Sequence, residues 1–93
     1  MAALGRLAMG RRRLKAGQNL YRAGEWFQFI YVVRTGTFKS SLKLADGREQ
    51  ISAFHMAGEL MGLDGVANGA HASTAMALED AEICTIRYDN LND

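Results

Sequence analysis

Short apolar runs separated by glycines organise the chain, and almost none of them has helical spacing. Gln28 to Arg34 (Gln-Phe-Ile-Tyr-Val-Val-Arg) is aromatic and β-branched along its length, as expected of a strand covered on both faces. Thr37 to Leu44 alternates instead, which predicts a half-exposed strand with Phe38, Leu42 and Leu44 on one face and Lys39 and Lys43 on the other. Asp46-Gly47 then joins it to Arg48 to His55, and an Asp-Gly link between alternating runs predicts a two-residue hairpin turn. Residues 11 to 15, 19 to 22, 73 to 79 and 82 to 87 are further strands, the last two meeting at the acidic corner Asp80-Ala81. The glycine-studded segment Gly58 to Gly65 predicts a short turn of helix.

Only the ends depart from the β pattern. Met1 to Met9 places Leu4, Leu7 and Ala8 at helical spacing before Gly10, the signature of a helix and its stop. Asp89 can cap a second helix, which Asp93 cuts short before two turns. About eight strands with a short helix at either end define an all-β sandwich or jelly roll in a single domain, 1–93.

Composition narrows the class. Hydrophobic residues are 48% and charged residues 23%, with no proline, as in an ordinary globular domain. No apolar run is long enough for a membrane span or a signal peptide. The net charge of +1 hides an asymmetry: residues 1–48 carry +8 and residues 49–93 carry −7. Arg11, Arg12 and Arg13 could neutralise nucleic-acid phosphates, but no aromatic or further basic cluster adjoins them, and a solvated surface strand accounts for them.

The candidate chemistry is sparse. Cys84 is the one cysteine, so an internal disulfide is excluded and a reducing, cytoplasmic setting is expected. Standing in an apolar strand, it reads as a small buried hydrophobe. His55 and His71 lie 16 residues apart without the ligand pattern of a metal-binding cupin, and no hydrolase or phosphate-loop motif is present. A small metal enzyme is therefore disfavoured.

Taken together, Leu14-Lys-Ala-Gly-Gln-Asn-Leu-Tyr-Arg-Ala-Gly24, Ile30-Tyr-Val-Val-Arg-Thr-Gly36, Asp46-Gly-Arg-Glu-Gln50, Phe54-His-Met-Ala-Gly-Glu-Leu-Met-Gly-Leu-Asp64 and Ala77-Leu-Glu-Asp-Ala-Glu-Ile-Cys-Thr-Ile86 resemble the cyclic-nucleotide-binding-domain signature of the CRP/FNR superfamily. The last two segments resemble its oxygen-responsive FNR/Anr branch in particular. The resemblance implies a double-stranded β-helix jelly roll serving as the non-enzymatic, cytoplasmic sensory domain of a bacterial transcription regulator. It also implies a dimerisation helix and a DNA-binding helix-turn-helix domain, neither of them within these residues, and hence a homodimer in the intact regulator and a monomer or weak dimer here.

The same resemblance assigns candidate sites. Gly58 and Glu59 match the Gly-Glu pair whose acid accepts from the ribose hydroxyl, and the family's phosphate-binding Arg-Ser pair falls on His71-Ala72. No Lys or Arg occurs from Glu49 to Ile86. An imidazole offers one hydrogen bond where a guanidinium offers two and a full charge, so cyclic-nucleotide affinity should fall on the order of 100-fold or more. Glu59 then reads as an acid at a helix start, needing no ligand, and a nucleotide-binding module is the alternative reading. Cys84 matches the strand cysteine that, with three upstream cysteines, holds a 4Fe–4S cluster in the FNR branch; with one thiol, no cofactor is expected in these residues alone. The hairpin tip Asp46, Gly47 and Arg48 matches a loop that touches RNA polymerase, although hairpin geometry alone explains its residue types.

Overall fold

The computed structural model describes residues 8–87. They form β1 (Ala8–Leu14), β2 (Asn19–Tyr21), β3 (Phe29–Thr35), β4 (Phe38–Lys43), β5 (Glu49–His55), β6 (Leu60–Met61), a 3₁₀ turn at Leu63–Gly65, β7 (Thr74–Ala77) and β8 (Ala81–Arg87). Two antiparallel four-stranded sheets result, ordered β1-β8-β3-β6 and β2-β7-β4-β5. Successive strands alternate between the sheets everywhere except at the β4–β5 hairpin, which is the winding of a jelly roll. The core between them is Leu14, Leu20, Tyr21, Tyr31, Val33, Phe38, Met61, Ala75, Ala77, Ala81 and Ile83, with Phe29 packed against it.

Strand β3 is apolar from Phe29 to Val33 but not covered on both faces along its whole length as expected: Val32 is half-buried and Arg34 and Thr35 are exposed. Tyr31 and Val33 enter the core, while Ile30 is buried opposite Ile86 of β8. At the β3–β4 corner only glycine fits. A Cβ on Gly36 would lie 2.5 Å from that of Ala81, and its φ of +87° belongs to the left-handed region. Thr37 Oγ1 donates to Glu79 at 2.8 Å beside it, so the β3–β4 and β7–β8 corners are locked together.

Four further sequence expectations are corrected. The hairpin link is three residues, Ala45 to Gly47: Leu44 N–H donates to Arg48 O at 2.7 Å, and Gly47 (φ +91°) donates back to Leu44 O. That is a turn closed by a left-handed glycine, a longer solution to the same Asp-Gly signal. Leu42 does not share Phe38's buried face. The pairing shifts between Ser40 and Ser41, so both serines are buried and Leu42 is exposed, as a bulge re-aims the side chains beyond it. The expected helix Met1 to Met9 ends inside a strand, because β1 already pairs with β8 at Ala8↔Ile86 and ladder bonds outweigh local spacing. Its residues 1–7, like the helix expected at Asp89, lie outside the described residues. Finally, the helical turn expected over Gly58 to Gly65 is divided: Leu60–Met61 pairs with β3, and only Leu63–Gly65 coils.

Candidate functional site

The site forms where the 3₁₀ turn meets the segment leading into β7. Two glycines allow that approach. A Cβ on Gly62 would press on Phe29 O at 3.1 Å and the Tyr31 ring at 3.3 Å, and one on Gly65 would collide with Phe27, 2.6 Å from its Cβ and 2.8 Å from its ring. Between them Asp64 is aimed at the segment His71–Ser73. Its Oδ2 accepts from Ala72 N–H (3.0 Å), Ser73 N–H (2.8 Å) and Ser73 Oγ (2.7 Å), and its Oδ1 lies 3.0 Å from His71 Nδ1.

Three of those donors converge on Oδ2 and one reaches Oδ1. Burial alone would raise the Asp64 carboxyl, but the hydrogen bonds from His71 and Ser73 outweigh it and hold the group below the usual carboxylate range. An ionised carboxylate only accepts, so His71 Nδ1 carries the hydrogen in that contact.

His71 is buried and stacked on Tyr21, their centroids 3.8 Å apart and their planes within 14°, with the Phe27 ring edge-on at 5.6 Å. Its backbone is tied as well: His71 O accepts from Gly24 N–H at 2.8 Å, and His71 N–H donates to Glu25 O at 2.9 Å. Tyr21 in turn hydrogen-bonds Ser73, Ser40 and the Gly62 backbone, and burial together with the nearby Asp64 charge pushes its phenol up to about 12. Ser40 Oγ lies 2.7 Å from His55 Nε2, and His55 Nδ1 lies 3.7 Å from Glu59 Oε1. Polar side chains thus succeed one another from Asp64 through Ser73, Tyr21 and Ser40 to His55, with His71 alongside.

A cavity of about 230 Å³ remains, lined by residues that include Tyr21, Ser40, Ser52, His55, Asp64 and Ser73. It is smaller than the ~300–1,000 Å³ of ordinary ligand pockets. None of the sequence-predicted residues Gly58, Glu59, His71 and Ala72 is among those that line this cavity. Gly58 (φ +91°) and Glu59 sit in a tight turn, Gly58 N–H donating to Val33 O and Glu59 N–H to Met56 O. Glu59 is therefore not an acid at a helix start; its partner is His55.

Cys84 stands apart from this pocket. It is half-buried on β8 between Arg11 of β1 and Val32 of β3, with Arg34 Nη1 3.9 Å from its Sγ. At the hairpin tip Asp46 accepts from the Arg48 backbone at 3.0 Å and from its Nε at 2.6 Å, so the exposed charges satisfy each other. No group of three or more His, Cys, Asp and Glu able to hold a metal occurs among the described residues.

Sequence reasoning placed His71 and Glu59 at this site but missed Asp64, Tyr21, Ser40 and Ser73. Asp64 precedes its main-chain partners by eight and nine residues, a separation with no helical or strand period, so nothing local announces the contact.

The profile of the Cyclic nucleotide-binding domain family matches residues 11–93, and the chain belongs to that family. Within it the chain is of the CRP/FNR type. It is 41% identical over 83 residues to the Fumarate and nitrate reduction regulatory protein of Yersinia pestis and 40% identical to that of Escherichia coli K12, covering 89% of the chain and 33% of each relative. The chain therefore spans about a third of the length of these curated relatives. Among solved structures it is similar to the Thermus thermophilus Catabolite Activator Protein (TM-score 0.88, 25% identity, 98% of this chain and 42% of that one). It is also similar to FixK2 of Bradyrhizobium japonicum (TM-score 0.82, 29% identity, 91% of this chain and 41% of that one).

Because the Asp64 carboxyl is held low, its contribution to stability is complete above the unfolded value of ~3.9 and is lost as pH falls through its folded pKa. Asp64→Asn should cost roughly 1–3 kcal/mol at neutral pH and should flatten the acid limb of stability against pH, as read by urea unfolding across that range. An unchanged acid limb would show that Asp64 is not the anchoring charge.

Proposed function

We propose that this domain is the sensory module of a CRP/FNR-type transcription regulator, and that it works without a cyclic nucleotide. One observation carries the second part. The main-chain N–H of Ala72, in the pair His71-Ala72 at the family's phosphate position, and that of Ser73 next to it already donate to Asp64, and no Lys or Arg occurs between Glu49 and Ile86 to draw in a second anion. An entering phosphate would meet a fixed negative charge and find its donors engaged.

The signal in this reading is redox or oxygen, received through Cys84. The name shared by the curated relatives supports it, and so does the placement of the thiol. It is half-exposed on β8, with Arg34 Nη1 3.9 Å from its sulfur. The donor set sets a limit, since a 4Fe–4S cluster takes four thiolates and this sequence has one. Cys84 would be a single corner ligand in the intact regulator, the other three coming from outside these residues, and the cluster would supply the oxygen-labile redox chemistry.

The intact regulator is read as a cytoplasmic homodimer that binds DNA through a separate domain and touches RNA polymerase near Asp46, Gly47 and Arg48. No helix among the described residues is long and apolar enough to cross a membrane.

Calorimetric titration of cyclic AMP and cyclic GMP into the domain should give no saturable heat. Micromolar affinity for either would overturn the reading in favour of a cyclic-nucleotide-binding module. In the intact regulator prepared anaerobically, Cys84→Ala should abolish the visible absorbance of a cluster, and a spectrum unaltered by that change would remove Cys84 from the sensor.

A further inference from the structure

We propose that Asp64 is a tethered ligand: the pocket keeps a seat for a small tetrahedral oxyanion, the chain's own carboxylate occupies it, and a free sulfate or phosphate enters once that carboxylate is withdrawn. The proposal deepens the preceding reading and rests on it.

The donor arrangement is the first reason. Adjacent main-chain N–H groups of Ala72 and Ser73 and the Ser73 hydroxyl converge on a single oxygen at 2.7–3.0 Å, and the His71 ring reaches the other. Successive main-chain N–H groups turned to one point form an anion-binding concavity whatever supplies the anion. The donors themselves are held from elsewhere. His71 is fixed by its stack on Tyr21 and by backbone bonds to Gly24 and Glu25, and Ser73 leads directly into β7, whose Thr74 is paired with Ser41 of β4, so the segment that carries the donors is held on both sides of Ala72.

The second reason is how Asp64 arrives. It is carried by a single 3₁₀ turn with two internal bonds, Gly65 N–H to Gly62 O and Val66 N–H to Leu63 O, each 3.2 Å. No sheet ladder includes that turn. The Asp64 side chain keeps 27% of its surface exposed, and it lines a cavity shared with Ser40, Ser52, His55 and Ser73. Solvent therefore reaches the seat, and a free oxyanion has room where the carboxylate stood. Removing Asp64 also removes the repulsion that keeps other anions out, leaving preorganised donors that are costly to leave unpaired.

The test uses sodium sulfate as probe, at ionic strength held constant with sodium chloride, and reads the Ala72 and Ser73 amide resonances. In Asp64→Ala these amides should shift saturably, with a dissociation constant at least about tenfold below any response of the unsubstituted chain. A variant too unstable to give a dispersed spectrum should be refolded by sulfate and not by chloride. Equal sulfate affinity in the two proteins would overturn the proposal, as would a folded variant whose amides stay still or an unfolded one that sulfate does not rescue. Cyclic-nucleotide binding by the unsubstituted chain would instead defeat the proposed function, so the two failures are told apart.

Discussion

One carboxylate holds the ligand end of this jelly roll together. Asp64 joins the 3₁₀ turn to the segment entering β7 through four hydrogen bonds, and the surrounding residues are chosen to permit that contact. Gly62 and Gly65 let the turn lie against Phe27, Phe29 and Tyr31. Tyr21 supplies both a face for the His71 ring and a hydroxyl for Ser73 and Ser40. Every described buried side-chain polar atom has a partner, so the interior polar groups are satisfied without a guest.

This arrangement separates family membership from family chemistry. The fold and much of the signature belong to the Cyclic nucleotide-binding domain family, yet the phosphate position presents an imidazole and donors that are already engaged. Loss of the cation alone would weaken binding; an acid placed on the remaining donors opposes it. In the function proposed above, a domain that satisfies its own pocket takes its signal elsewhere, at the half-exposed Cys84 beside Arg34.

The strands were largely legible because their information is local. The apolar run of β3, the Asp-Gly hairpin and the glycine corners each announce themselves within a few residues. What misled was also local: Leu42 follows the alternation of β4 but lies beyond a register shift made by β5, and Ala8 has helical spacing but belongs to a ladder with β8. The site was half legible. The missing guanidinium could be read directly, whereas the residue that replaces its anion could not, because Asp64 meets Ala72 and Ser73 only once the loop between them has closed. Tyr21 and Ser40 come from still more distant strands and look like ordinary β residues in sequence.

Carbon-13 detection of the Asp64 side-chain carboxyl through an acid titration addresses the central contact itself. The resonance should titrate below the ordinary carboxylate midpoint, and the Ala72 and Ser73 amides should move with the same midpoint. A midpoint at or above the ordinary value, or amides indifferent to it, would mean that the carboxylate does not hold the seat.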